Sequence, residues 1–408
     1  MLSAKAFAGR FCRLFFWRFR LSGETGGKTM ETGSEEKEEC PLQCCCNQHV
    51  FAPRKARPFV RLATRPDENF QGGYTPQQIR SAYDFPADST GLGQTIALIT
   101  TGLQPNIESD LSFFSSFFSL PAARLTIRRI GAVPEVLDSD WALETTLDVE
   151  WAHALAPEAD LLLVYAASDR IGDLMQAADL AAGLGADVIS MSWGEQERPG
   201  QSELERVFRL YPSTAFVGSA GDQSAVPFFP STSGLVLSAG GTSLVLSDTG
   251  ERISEIAWYS GGGGPSQFFP ITPAQTRMEG IQEQTNGMRG TPDVSFCADP
   301  DYGVAIYHSI EISGSAGWGK AGGTSFAAPA WAAVLAGIRQ RGGTALPQNL
   351  YQLAGGIRYL EPQPYFYDII QGESRLYQAR KGWDLCTGLG SPKVSQIQES
   401  LARTNIQQ

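Results

Sequence analysis

Histidine is scarce in this chain, with three residues, His49, His153 and His308, among 408. A serine or thiol nucleophile that depends on an imidazole base therefore has few partners to choose from. Basic charge is also short, since 32 Lys and Arg face 43 Asp and Glu and leave a net charge of −11. That balance argues against nucleic acid as a partner, because phosphate recognition needs clustered cations. Charged residues make up 18% of the chain and hydrophobic ones 42%. These proportions suit one large domain with a sizeable core. A long apolar run is missing too. Residues 1–20 are rich in aromatics, but Arg10, Arg13, Arg18 and Arg20 interrupt every apolar stretch. The segment is thereby a poor signal peptide and too broken for a membrane span.

Paired cysteine spacing is the last absence. Cys40, Cys44, Cys45 and Cys46 crowd near His49 without the C-x-x-C pattern of a tetrahedral zinc site. The remaining Cys12, Cys297 and Cys386 are scattered, so the seven cysteines form no readable disulfide framework. Residues 1–71 are expected to be a poorly structured N-terminal segment, residues 72–400 the main domain and residues 401–408 a tail.

Within the main domain, apolar β-type runs alternate with helical patterns. The runs are Thr95 to Thr100, Leu161 to Tyr165, Val188 to Trp193, Ala215 to Ser219, Leu235 to Ser238 and Val304 to Tyr307. Helical patterns cover Trp141 to Ala156, Ile171 to Leu184 and Ser202 to Leu210, and Thr75 can cap a short helix that has Pro76 at its first position. The alternation predicts an α/β fold with a mostly parallel central sheet and helices on both faces. In such sheets function gathers at the carboxyl ends of the strands.

Four clusters carry chemistry. Gly322-Gly323-Thr324-Ser325 presents a serine at the start of an apolar helical run, where free N–H groups favour developing negative charge. Glu144 and Asp148 stand one turn apart beside the apolar stripe Leu143, Leu147, Trp151 and Leu155, with no Lys or Arg between Arg129 and Arg170. On a solvated face they would be an ordinary acidic shoulder. Packed near a serine, they would split their titration and supply a proton donor and acceptor in acid. Asp222 follows the run Ala215 to Ser219, where it reads either as a turn residue or as an acid at a strand's carboxyl end. Asp368 and Asp384 flank glycine-loosened backbone and offer the hard oxygen donors that calcium prefers, although a surface loop would look much the same.

In their order and spacing these clusters resemble the sedolisins, serine-carboxyl peptidases on a subtilisin-like fold. The resemblance runs from Tyr74 to Lys393. It is carried by Tyr74-Thr75-Pro76, Glu144-x-x-x-Asp148, Ser192-Trp193-Gly194, Gly221-Asp222, Ser260-Gly261-Gly262-Gly263, Pro292-Asp293-Val294-Ser295, Gly323-Thr324-Ser325 and Gly382-Trp383-Asp384. It implies an acid-active endopeptidase in which Ser325 attacks the scissile carbonyl and forms an acyl-enzyme. Glu144 would be the general base, Asp148 its partner and Asp222 a protonated oxyanion acid. It also implies one structural calcium, held by the side chains of Asp368 and Asp384 and the carbonyls of Ile369, Arg380 and Gly382. Arg380 stands where the family has glycine. A subtilisin-type histidine is excluded, because none of the three histidines lies in a Gly-His-Gly-Thr turn. A non-catalytic peptide-binding protein on the same fold is the alternative. The segment before Tyr74 is short and polar compared with the folded propeptide of the family. The expected partners are polypeptides, the expected state a monomer and the expected location extracellular.

Overall fold

The structure, a computed structural model, describes residues 55–404 except positions 65, 71, 134–137, 313, 356–358, 360 and 361. The cysteine cluster and His49 lie outside the described residues. Two short strands come first, β1 (Arg57–Pro58) and β2 (Arg61–Leu62), and then helix α1 (Pro76–Ala82). Thr75 caps α1 as its sequence predicts. The Thr75 side chain accepts the Gln78 N–H, and the Gln78 side chain accepts the Thr75 N–H in return.

Strands and helices then alternate: β3 (Thr95–Thr100), α2 (Ile107–Phe117), β4 (Arg124–Arg129), α3 (Ser139–Leu155), β5 (Asp160–Tyr165), α4 (Ile171–Gly183) and β6 (Val188–Met191). After β7 (Trp193–Gln196) come α5 (Arg206–Leu210), β8 (Ala215–Ser219) and β9 (Phe228–Phe229). Next are β10 (Leu237–Leu246), β11 (Arg252–Ala257), β12 (Gly264–Pro270), the short helices α6 (Pro273–Thr276) and α7 (Ile281–Thr285), β13 (Met288–Thr291) and β14 (Val294–Cys297). The hairpin β15 (Val304–Ile312) and β16 (Ser315–Gly322) then leads into α8 (Thr324–Gln340), and helices α9 (Pro347–Leu353) and α10 (Val394–Thr404) come after it.

The central sheet runs β11-β10-β8-β6-β3-β5-β4, with β14 also paired to β10. Every pairing in it is parallel except β10 with β11. Chain order reverses around β3, whose neighbours are β5 and β6, and this creates a crevice at the carboxyl ends. The core strands β3, β5, β6 and β8 are buried on both faces, as near-continuous apolar runs require.

Three expectations need adjustment. The run Val304 to Tyr307 belongs to an antiparallel sheet of β15, β16 and β2, because local pattern does not reveal a strand's partner. Helix α3 is buried on every side from Trp141 to Leu155, acids included, since α8 and β15 cover the face that a one-stripe pattern leaves to water. Residues 55–62, assigned from sequence to the poorly structured segment, pair through β1 with β7 and through β2 with β16. Cys297 and Cys386 are buried free thiols. Among the described residues, no helix is long and apolar enough to cross a membrane.

Candidate active site

Helix α8 begins immediately after the left-handed Gly323, whose φ is +110°. A β-carbon at this position would stand 1.8 Å from the Phe59 carbonyl oxygen and 2.8 Å from Asp222 Oδ2, so the turn accepts glycine alone without rearrangement. Ser325 is thereby the second residue of the helix, where backbone N–H groups have no partner within the helix. Pro329 lies four residues on and lacks the N–H that would bond the Ser325 carbonyl. That carbonyl accepts the Ser192 hydroxyl instead, at 3.3 Å.

The Ser325 hydroxyl faces two acceptors, Glu144 Oε2 at 2.8 Å and the Ser192 carbonyl at 3.0 Å. Ser192 sits between β6 and β7 at the carboxyl end of the sheet, and its own hydroxyl donates to Asp148 Oδ1 at 2.6 Å. Glu144 and Asp148 come from α3, one turn apart, and both are fully buried. Glu144 Oε1 and Asp148 Oδ2 have no hydrogen-bond donor among the described residues, and one proton shared between the two carboxyls would satisfy both. Burial pushes Glu144 well above the usual carboxylate range, and the neighbouring Asp148 adds to the effect. Burial likewise raises Asp148.

Asp222 reaches the serine from the other side, on the turn after β8. Its Oδ1 accepts the Thr324 N–H at 2.8 Å and the Thr324 hydroxyl at 2.9 Å, while Thr324 Oγ1 also accepts the Gly221 N–H at 3.0 Å. Its Oδ2 has no hydrogen-bond donor among the described residues and faces the Gly323 turn. Burial raises the Asp222 carboxyl to about 7, so it is protonated in mild acid and can donate from Oδ2. Gly262 packs directly over this turn, its N–H bonded to the Gly221 carbonyl at 2.6 Å. A β-carbon there would stand 2.4 Å from the Ala220 carbonyl oxygen.

An extended piece of the chain lies across these groups. The Phe59 N–H points at both Glu144 Oε2 and Ser325 Oγ, at 3.1 Å from each. The Phe59 ring packs edge-on to Phe228, with centroids 4.9 Å apart, and lies against Gly194. On either side of Phe59, Arg57 and Pro58 pair with Gly194 and Trp193, and Arg61 and Leu62 with Gly322 and Ala321. The Arg61 guanidinium donates to the Asp222 carbonyl at 2.5 Å, and its Nε stands 3.5 Å from Asp222 Oδ2.

The four residues expected to act together, Glu144, Asp148, Asp222 and Ser325, therefore meet at the carboxyl end of the sheet. The two described histidines bond elsewhere, His153 to the Pro121 carbonyl and His308 to the Ile310 carbonyl. Sequence reasoning assigned no part to Ser192, Thr324, Phe59 or Arg61. The first two adjoin quoted motifs, Ser192-Trp193-Gly194 and Gly323-Thr324-Ser325. No local signal marks Phe59 and Arg61, because their contacts span 85 to 266 residues of sequence.

The second expected site is a single loop. Asp384 Oδ1 accepts the N–H groups of Cys386 and Thr387 and the Thr387 hydroxyl, and its Oδ2 accepts the Arg380 N–H at 2.9 Å. Asp368 Oδ2 accepts the Gly382 N–H at 3.1 Å. Backbone at positions 380 and 382 thus joins the two carboxylates, with Ile369 next in the chain. Despite these donors, burial raises Asp384 to about 6. A hard cation held by these oxygens would offset that desolvation. Among the described residues, no group of three or more His, Cys, Asp and Glu side chains is arranged to hold a metal. The expected calcium set needs two carboxylates and three carbonyls.

Comparison with known proteins agrees with this geometry. Residues 142–354, more than half of the chain, match the subtilase family. The chain is 32% identical over 386 residues to kumamolisin from Bacillus sp. (strain MN-32), an alignment that covers 83% of this chain and 66% of that protein. It is 24% identical over 372 residues to sedolisin from Pseudomonas sp. (strain 101), covering 80% and 60%. The chain thus spans slightly less than two thirds of the lengths of these relatives. Among solved structures, the fold resembles Pseudomonas sedolisin, a serine-carboxyl proteinase complexed with two molecules of pseudo-iodotyrostatin. The TM-score is 0.70 at 23% identity, with 83% of this chain and all of that one covered.

Proposed function

The chain belongs to the sedolisin family of subtilisin-like serine-carboxyl peptidases, and from that premise we propose that it is an acid-active endopeptidase acting through an acyl-enzyme on Ser325. One observation carries the reading. The Ser325 hydroxyl donates to a buried glutamate at 2.8 Å, and a second buried acid faces the same turn with an oxygen that accepts no hydrogen bond among the described residues.

The chemistry follows from these positions. Glu144 Oε2 removes the Ser325 proton as Oγ attacks the scissile carbonyl carbon. Asp148, held by Ser192, keeps Glu144 oriented and shares its proton. The carbonyl oxygen becomes an oxyanion, and neutral Asp222 donates to it from Oδ2 beside the Ser325 N–H. Glu144 then passes its proton to the departing amine. Water, deprotonated by Glu144, releases the acid product and restores the serine proton. The Glu144–Asp148 pair must have lost one proton while Asp222 keeps its own. Activity therefore rises as the pair first ionises and falls as pH passes about 7, where Asp222 ionises.

The path of residues 55–62 supports a polypeptide as substrate, since extended backbone fits between β7 and β16 with an amide at the serine. We also propose calcium at Asp368, Ile369, Arg380, Gly382 and Asp384. The ion would supply charge compensation that ties the loop down, away from the reacting atoms.

Ser325→Ala and Glu144→Gln test the reading, assayed against a mixed peptide library at the pH of the wild type's maximum, on the acid side of the Asp222 ionisation at about 7. Each variant is expected to lose cleavage while keeping the wild-type melting transition. Appreciable turnover by either one would sink the assignment.

A further inference from the structure

Strand β10 has the serine site on one flank and a separate cavity on the other. β8, which leads to Asp222, pairs with one edge of β10, and β14, which Asp293 precedes, pairs with the other. Beside Asp293 a cavity of about 380 Å³ opens between helices α6 and α9 and the loop that enters β10. That volume lies in the range of small-molecule sites. None of Glu144, Asp148, Asp222 and Ser325 lines it.

The cavity contains a buried ion pair with one donor left over. Arg289 Nη2 donates to Asp293 Oδ2 at 2.5 Å and to the Val236 carbonyl at 3.4 Å, and Nη1 donates to the Gly290 carbonyl. Asp293 is fully engaged, since its Oδ2 also accepts the Ser238 N–H at 2.8 Å and its Oδ1 accepts the Tyr351 hydroxyl at 2.6 Å. Arg289 Nε is different. Its side chain is buried and lines the cavity, yet this N–H has no acceptor among the described residues. A buried N–H left without an acceptor is costly, so an oxygen supplied by an occupant would be stabilising there.

The rest of the lining sets the chemistry of that occupant. Leu235, Pro273, Ala274 and Pro347 give it apolar walls, and Leu235 keeps 41% of its surface exposed. Arg277, exposed at the end of α6, adds a cation with no acid partner among the described residues. Asp293, the one acid in the lining, is already matched by Arg289. The lining therefore carries one positive charge in excess. A single carboxylate balances it, whereas a dianion would bring a second charge into the cavity without a partner.

We propose that this cavity is a binding site for a small carboxylic acid with an apolar body, the carboxylate accepting from Arg289 Nε under the charge of Arg277 and the body packing against Leu235, Ala274 and Pro347. The site goes beyond the peptidase reading and does not depend on it.

A ligand-observed NMR titration with phenylacetate tests the site, on the full chain in the Ser325→Ala background so that the protein cannot digest itself. At about pH 6 the probe is ionised. It is expected to bind with a Kd below about 1 mM, and phenylacetamide, which has the same ring and no charge, at least about tenfold more weakly. Ala274→Trp fills the cavity from α6 and should abolish binding, while Arg277→Gln should weaken it about fivefold. Neither position is buried, so both variants should keep the parental melting transition. The comparison of the two probes needs no variant at all. Absence of phenylacetate binding at about 10 mM, or equal affinity for phenylacetamide, would overturn the proposal. So would binding that Ala274→Trp leaves unchanged, because the probe would then sit elsewhere. Displacement of phenylacetate by an equal concentration of inorganic phosphate would also overturn it, since the apolar walls would then contribute nothing.

Discussion

Replacing Asp222 with asparagine separates the proton on this residue from its shape. The amide can still accept from Thr324 at Oδ1 and can donate from the position of Oδ2, but it never ionises. In the folded protein burial raises Asp222 from 3.8 to about 7. A shift of that size corresponds to about 4 kcal/mol between the two protonation states. The folded value lies above the unfolded one, so Asp222 contributes its full stability below pH 3.8 and loses it as pH rises towards 7. Wild type and Asp222→Asn should therefore differ by a constant amount near pH 3.5. Between pH 4 and 7 wild type should lose ground by about 1.4 kcal/mol per unit, and above 7 the gap should level off. Acids that do not feel Asp222 titrate alike in both proteins and cancel in the comparison, and the smaller effect of the Asp222 charge on Glu144 adds to the difference. Urea unfolding at pH 3.5, 5, 6.5 and 8 measures the gap. A difference that does not change with pH would refute the argument, because it would mean that Asp222 ionises in the folded state as it does in water.

Other substitutions and a chelator probe the rest of the site. Ser325→Ala should lower peptide cleavage by about 10⁴-fold or more and Glu144→Gln by about 10²-fold or more, read as initial rates at the pH of the wild type's maximum. Thr324→Val removes one donor from Asp222 Oδ1 and the acceptor of the Gly221 N–H, so chemical denaturation should show a loss of about 1–3 kcal/mol. Gly323→Ala places a β-carbon against Asp222 Oδ2 in a left-handed turn, and both stability and cleavage should fall, the former by about 1–3 kcal/mol. Stripping calcium with a chelator should lower the melting temperature by about 2–4 °C, and an unchanged melt after verified chelation would remove the ion from the account.

How much of this was legible in the sequence depends on the range of each interaction. The run Thr95 to Thr100 and the run Ala215 to Ser219 appear as strands with those bounds, since buried parallel strands are written as unbroken apolar residues. Helix α3 was legible as a helix. That it carries two acids into the core was not, because the cover comes from α8 and β15, far away in the chain. The run Val188 to Trp193 reads as one strand but breaks at Ser192, which leaves the sheet to bond Asp148 and Ser325. Glu144, Asp148, Asp222 and Ser325 could be picked out because each sits in a local motif of a recognisable family. Arg61 could not, since an arginine in a polar stretch shows nothing of the carboxyl it meets 161 residues later. The same holds for Phe59, whose N–H meets Ser325 across 266 residues.

The central claim is that carboxyl groups, with no histidine, drive a serine at the head of α8. A pH–rate profile of the wild-type chain on a mixed peptide library, from pH 3 to 8 with products identified by mass, tests it most directly. The account predicts internal peptide-bond cleavage that is greatest in acid and falls away as pH passes about 7, with Asp222. Cleavage that instead climbs through neutral pH to an alkaline maximum would contradict it.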